Sequence, residues 1–237
     1  MSKAGKLITG TLVRRYKRFL ADVELENGDL VTVHCPNSGS MQSCIGEGWP
    51  VLLSLSDNPN RKLSMTLEWI HNSKTWIGVN THRANRIVGD FLAKGLIESL
   101  KGYAEHKPEV KISDKSRIDW VLRAPVNLKL PDCFVEVKSV TLRGDDGLYQ
   151  FPDSVTSRGT KHLCELMRLV AEGNRAAMIF LVCREDSTSF RVAKEIDPLY
   201  AKTLREAHDA GVEILVCATV AAPPEVSYAG LLPMEWS

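Results

Sequence analysis

Apolar and polar positions alternate with a period of two through Phe19, Ala21, Val23 and Leu25, which are interleaved with Leu20, Asp22, Glu24 and Glu26. Side chains two apart share one face of a strand, so this segment predicts a half-buried β-strand. Asn27-Gly28 follows, the dipeptide best suited to the positive φ values of a tight hairpin, and Leu30 to Cys35 returns as the next strand. Pro50 to Ser56, Leu63 to Ile70 and Thr75 to Val79 predict further strands, with no convincing helix between them. Five or six short antiparallel strands within residues 1–80 suit a small closed barrel, of which the oligonucleotide-binding type is one.

The period changes beyond Asn80. Ile87, Val88, Phe91, Leu92, Leu96 and Leu100 recur at helical spacing and predict a helix over 82–100. Strands are expected at Glu109 to Ile112, Ser116 to Leu122 and Cys133 to Leu142, then a helix over Arg158 to Ala171 stopped by Gly173. AAMIFLVC is an unbroken apolar strand that needs cover on both faces. A third helix has Asp197 as its N-cap, Pro198 at its first position and Gly211 at its end, and VEILVCATV supplies a last strand. The order helix, three strands, helix, strand, helix, strand predicts a mixed α/β sheet flanked by helices over residues 81–237. The tail from Ala221, with Pro223-Pro224, reads as a surface wrap.

A content of 44% apolar and 25% charged residues is that of an ordinary globular protein. No apolar run approaches the ~18–20 residues needed to cross a bilayer, and the N-terminus lacks the apolar core of a signal peptide, so a cytoplasmic protein is expected. The six cysteines are scattered without a C-x-x-C pair and read as small core residues, not as zinc ligands. The net charge of +1 implies no global attraction to an acidic polymer. Locally, Lys3, Lys6, Arg14, Arg15, Lys17 and Arg18 stand in the first twenty residues without an acid. That cluster is either a local nucleic-acid footprint or the solvated face of a hairpin.

The strand around DCFVEVKSVTL carries two charges where a central strand should be apolar, and Glu136 and Lys138 project to one face. Asp119 interrupts SRIDWVL in the same way, and the turn chemistry of RAPVNLKLPD predicts that the two strands form a hairpin. Isolated charges are costly to bury, so paired or metal-bound arrangements are favoured. Asp119 and Glu136 brought together would make an oxygen-rich site suited to Mg²⁺ or Mn²⁺, with a lysine placed to act on water or phosphate. An edge-strand ion pair is the competing reading.

This Asp…Glu-x-Lys spacing, within that order of elements, resembles the restriction-endonuclease-like PD-(D/E)xK nuclease superfamily. Ile118-Asp119 stands where that motif has Pro-Asp; Pro131-Asp132 lies too close to Glu136 to leave room for a hairpin. HCPNSGSM at 34–41 and FPDSVTSRGTKHLCEL at 151–166 resemble the two most recognisable blocks of the SfsA family, the bacterial sugar fermentation stimulation proteins. RYKRFLADVEL, VNTHRANR, SRIDWVL and CFVEVKSVTL also resemble family blocks, so the similarity runs from Arg15 to about Val216.

The resemblance implies an OB-like barrel joined to a nuclease-like domain and largely sequence-independent binding of DNA. It further implies regulation of maltose or other sugar metabolism, and phosphodiester hydrolysis with Mg²⁺ or Mn²⁺. Asp119 and Glu136 would hold the metal, Lys138 would serve the water or the scissile phosphate, and Asp90 would be an accessory acid where a glutamate is expected. His162 and Glu165 can share a helix face, with Lys161 and His162 available to phosphate or the attacking water, unless this is merely a solvated face. Asn37 and Ser38, in a turn, would bind phosphate or cap the chain, and Arg158-Gly159 would offer donors at a helix start. Ser40 stands where some members carry arginine. Because fold alone does not establish a reaction, a binding-only regulator with a silent nuclease-like domain is the alternative.

Overall fold

The computed structural model describes residues 7–113 and 116–236, so Lys3 and Lys6 of the basic segment lie outside the described residues. The alternating stretches become β1 (Ile8–Tyr16), β2 (Leu20–Leu25), β3 (Leu30–His34), β4 (Pro50–Leu55) and β5 (Met65–His71), with β6 (Trp76–Gly78) continuing beside β5. They pair in the order β3-β2-β1-β4-β5-β6, and a contact of β3 with β5 at His34–Thr66 closes a five-stranded, OB-like barrel. Leu12, Ala21, Val23, Val33, Val51 and Leu53 fill its interior, as the period of two requires. Gly28 turns the β2–β3 hairpin at φ 85°, a conformation that glycine adopts without strain.

The second domain follows with α1 (Ala84–Ala93), β7 (Glu105–Ser113), β8 (Ser116–Arg123), β9 (Cys133–Val140), β10 (Leu142–Arg143), β11 (Tyr149–Phe151) and α2 (Ser157–Ala171). It continues through β12 (Arg175–Val182), β13 (Phe190–Val192), α3 (Pro198–Asp209), β14 (Glu213–Ala222), β15 (Glu225–Leu231) and β16 (Met234–Glu235). Its main sheet has the order β15-β14-β12-β9-β8-β7. The strands β9, β12 and β14 are parallel, whereas β7-β8-β9 and β14-β15 are antiparallel. Val88, Phe91 and Leu92 of α1 cover one face; Leu163 and Leu166 of α2 and Leu204 and Ala207 of α3 cover the other. The apolar run of β12 is buried on both sides by these two layers.

Three expectations need correction. The helix over 82–100 ends at Ala93, because Gly95 takes φ 60° and the chain restarts only as a short 3₁₀ turn at Glu98–Leu100. The strand expected at Glu109 to Ile112 begins at Glu105, before Pro108. The tail is not a loose wrap: β15 pairs along β14 as an edge strand, and β16 joins β10, β11 and β13 in a small second sheet. Val226 and Tyr228 pack on the main core, so Pro223-Pro224 marks a hairpin turn. Among the described residues no helix is long and apolar enough to cross a membrane. Five cysteines are buried and free; Cys164, on α2, is exposed.

Candidate active site

The strands β8 and β9 pair from Leu122–Cys133 to Trp120–Val135, and the ladder stops there, one step short of bringing the Asp119 and Glu136 backbones into register. Where the strands part, the Asp119 side chain takes over: its Oδ2 accepts the Val137 N–H at 2.7 Å. Its Oδ1 accepts from the Asn85 amide at 2.7 Å, and the same amide reaches Glu109 Oε1 at 3.1 Å. Asn85 arrives there because α1 lies close on β8. One turn further along the same helix face, a Cβ on Gly89 would stand 2.3 Å from the Trp120 ring, so only glycine permits the approach. Glu109 sits across from Asp119 at a backbone φ of 53°, a left-handed conformation that costs a non-glycine residue energy.

Glu136 is almost wholly buried. Its Oε1 accepts from Lys138 Nζ at 2.6 Å and contacts His162 Nδ1 from α2. Arg158 Nε donates to the other ring nitrogen of His162 at 3.3 Å, which assigns Nδ1–H as the donor toward Glu136. The remaining oxygen, Glu136 Oε2, is buried with no hydrogen-bond partner. A buried carboxylate oxygen without a donor is costly, and a cation is one way to satisfy it. Burial pushes the Glu136 carboxyl upward, but the His162 hydrogen bond and the Lys138 charge outweigh it and hold the group below its ordinary value. Asp119 goes the other way: burial first, then the nearby Glu136 charge, raise its carboxyl.

Among the described residues no three His, Cys, Asp or Glu side chains converge as a ready-made metal cage. The donors present still fit Mg²⁺, which is commonly held by one or two carboxylates, with water and substrate phosphate completing its shell. Asp119 and Glu136 supply two such carboxylates and the unpartnered Oε2.

From this centre a cleft of about 780 Å³ runs along α2, lined by Lys111, Arg117, Arg158, Lys161 and His162. Glu165 also borders it, paired with Arg168 at 3.1 Å. Asp90 is exposed and faces a different cleft, shared with Arg86 and Lys94, so α1 brings Asn85 and not Asp90 to the carboxylates. Asn37 is buried; its side-chain oxygen caps the Gly39 N–H at 2.9 Å and its amide points to Thr141, while Ser38 is exposed. The Arg15 guanidinium donates to the carbonyls of Arg18, Asn37, Gly39 and Ser40, so it clamps that turn onto the barrel. Arg14 pairs with Asp22 at 2.8 Å over the Tyr16 ring, and Lys17 and Arg18 stand exposed at a tight turn. Asn85 and Glu109 escaped the sequence reading. Asn85 lies within VNTHRANR, but an amide amid arginines carries no charge pattern to single it out.

The chain thus joins a closed OB-like barrel to a mixed sheet flanked by helices that carries the Asp119, Glu136 and Lys138 centre. The chain belongs to the SfsA family: residues 13–79 match the SfsA N-terminal OB domain and residues 82–225 the sugar fermentation stimulation protein RE domain. It is 49% identical over 229 residues to a sugar fermentation stimulation protein homolog from Pelobacter propionicus, covering 96% of this chain and 97% of that one. A homolog from Geobacter sulfurreducens is 46% identical over 228 residues, covering 96% of each chain. The structure of Pyrococcus furiosus SfsA in complex with Ca²⁺ superposes with a TM-score of 0.86 at 25% identity, covering 97% of this chain and 96% of that one.

Proposed function

We propose that this protein binds DNA with little regard to sequence and hydrolyses its phosphodiester bonds with Mg²⁺ or Mn²⁺ at Asp119 and Glu136. The observation that carries the reading is the buried, unpartnered Oε2 of Glu136, whose other oxygen contacts His162, itself a wall of the groove with Lys111, Arg117, Arg158 and Lys161. A carboxylate with one oxygen unpartnered and a row of cations suited to phosphate are complementary halves of one site. The relative from Pyrococcus furiosus is in complex with Ca²⁺, which supports an oxygen-preferring divalent ion as a ligand of this fold.

When bound, the ion supplies Lewis-acid stabilisation of charge on the phosphate. The residues of the chain do the rest. His162 orients Glu136, Lys138 sits where it can neutralise charge or orient water, and Arg158 and Lys161 position the backbone. The barrel, with Lys17 and Arg18 exposed, adds grip. A role in sugar metabolism, maltose included, would be exerted through DNA in the cytoplasm and not through a sugar-converting site.

The test is incubation with duplex DNA, single-stranded DNA and RNA, with Mg²⁺ or Mn²⁺ and with chelator. Metal-dependent cleavage lost in Glu136→Gln and Lys138→Ala is expected; equal cleavage by wild type and both variants would identify a contaminant and sink the reading. The absence of three converging ligands among the described residues favours a second reading, a binding-only regulator. It predicts metal-independent binding without turnover in the same assay.

A further inference from the structure

The basic stretch at the start of the barrel divides in two once it is folded. Arg14 is paired with Asp22 and lies over the Tyr16 ring, and Arg15 is turned onto the carbonyls of the 37–40 turn. Lys17, Arg18 and Phe19 form the turn between β1 and β2, and all three are exposed, Phe19 to 49%. Among the described residues neither Lys17 nor Arg18 is paired with an acid.

This turn is strained. Lys17 and Arg18 sit at φ 47° and 64°, the left-handed region that glycine and asparagine enter far more easily than lysine or arginine. The next hairpin of the same barrel relieves that strain with Asn27-Gly28. The first hairpin gives up the relief and gains two cations and a ring at its tip. Backbone strain held by its surroundings clusters at binding sites and switches. Here it is held by three bonds of 2.8 Å: Arg15 Nη2 to the Arg18 carbonyl, Phe19 N–H to the Lys17 carbonyl and Cys35 N–H to the Phe19 carbonyl. They fix the backbone around the ring, so little freedom is left to lose when a ligand stacks on it.

A second loop meets the same corner. Leu20, next to Phe19, pairs with His34 at the end of β3, and Arg61, from the loop between β4 and β5, donates to His34 Nδ1 at 3.0 Å. Lys62 beside it is exposed. Asp22, the nearest acid along β2, is buried and already accepts from Arg14, Tyr16 and Thr32. Cations around an exposed aromatic ring fit a chain of phosphates that also offers π faces. A duplex keeps its bases stacked on one another and would meet only the cations, whereas an unpaired strand can lay a base on the ring.

Resting on the nucleic-acid reading above, we infer that the Lys17-Arg18-Phe19 turn is a stacking platform for an unpaired nucleic-acid strand. Phe19 holds a base, and Lys17, Arg18, Arg61 and Lys62 hold the phosphates beside it. Among the described residues no Phe, Tyr or Trp lines the groove along α2, so the preference for unpaired strands rests with the barrel.

Fluorescence anisotropy on the full-length protein in chelator, so that nothing is cleaved, tests this. The probes are labelled oligothymidine and oligouridine of about 15 nucleotides and a duplex of the same length, at one salt concentration. Both single strands should bind more tightly than the duplex, and the tighter of the two names the natural polymer. Phe19→Ala should weaken the single strands about tenfold, the scale of one stacked base, and leave the duplex unchanged; Phe19→Trp should keep the wild-type affinity. The double variant Lys17→Asn, Arg18→Gly removes both cations and the strain together. It should weaken every probe and flatten the salt dependence, yet unfold at no lower urea concentration than wild type. A duplex bound by wild type as tightly as the single strands would overturn the inference alone. So would a Phe19→Ala protein that binds single strands like wild type, or one that loses duplex and single strand equally. Failure of every probe to bind would overturn the nucleic-acid reading with it.

Discussion

Two buried charge clusters lie on this sheet, and they are built differently. Arg184 and Asp186, just beyond the end of β12, form a closed set: Nε and Nη2 of Arg184 donate to the two oxygens of Asp186 at 2.7 and 2.6 Å, and Asn72 of the barrel adds a third bond at 2.9 Å. The remaining nitrogen, Nη1, donates to the Thr141 carbonyl and to Ser43 of the barrel, so the pair also ties the domains together. Around Glu136, by contrast, Lys138 and His162 crowd onto one oxygen while the other has none. Both clusters are buried and both are paired. The difference is the unsatisfied acceptor, and it separates a charge kept for architecture from one kept for a ligand.

The largest effect that would sharpen this contrast is on turnover. Glu136→Gln should lower metal-dependent cleavage by about a thousandfold or more, the scale of losing a group on which transition-state charge depends. Its stability, read from urea unfolding, should stay within about 1 kcal/mol of wild type, because the carboxylate already lacks half its partners. A Glu136→Gln protein that unfolds early would show that the charge is architectural and end the comparison. Arg184→Ala should do the reverse. It leaves the Asp186 charge without its cation and with only the Asn72 hydrogen bond, and should cost about 3 kcal/mol in the same urea titration, with residual activity in whatever fraction stays folded.

The closed cluster also makes a prediction about pH. Burial pushes the Asp186 carboxyl upward, but hydrogen bonds from Arg184 and Asn72 and the Arg184 charge overcome it and hold the group below its ordinary value. Between the folded and unfolded values the unfolded chain therefore binds the extra proton. The stability this pair contributes is full above the ordinary aspartate value of about 4 and is lost as pH falls through the lowered folded value. The gap in unfolding free energy between wild type and Asp186→Asn should be constant near neutrality and narrow below about pH 4. A gap that persists unchanged to pH 3 would place the origin of the stabilisation elsewhere.

Much of this was legible in the sequence because it follows periods and caps. The alternation from Phe19 to Leu25 and the Asn27-Gly28 turn specify the first barrel hairpin, and Asp197-Pro198 specifies the start of α3, where the Asp197 side chain accepts the Tyr200 N–H. The charges of Glu136 and Lys138 stood out because a central strand is the wrong place for them. What escaped was set by contacts distant in sequence. Nothing near Arg184 predicts that it will meet Ser43 across a domain boundary, and β10, β11 and β13 are two- and three-residue strands too short to show a period. Arg15 read as part of a basic surface because its neighbours are basic; only the fold puts the carbonyls of the 37–40 turn around its guanidinium. Asp90 stands out in the sequence as an acid on the first helix, whereas helix phase brings Asn85 of that helix, and not Asp90, to Asp119.

That last point sets the finest test of the comparison. In the open cluster Asp119 is the adjustable member, because its two oxygens are held by one side-chain amide and one backbone N–H and its carboxyl is already raised by burial and by Glu136. Asn85→Ala removes the amide and leaves the backbone bond, so Asp119 should remain folded in place but hold a proton more readily. We expect a rate lowered on the acid side of the profile and recovering as pH rises, together with a weaker apparent affinity for Mn²⁺, from the loss of one hydrogen bond to a charged group. Asn85→Asp should separate position from charge. It places a third acid beside Asp119 and Glu109, raises the Asp119 carboxyl further, and should move the rising limb of the pH–rate profile to higher pH than Asn85→Ala does. If both substitutions lower the rate equally with no movement of that limb, Asn85 is packing against β8 and no more, and the open cluster reduces to Glu136, Lys138 and His162.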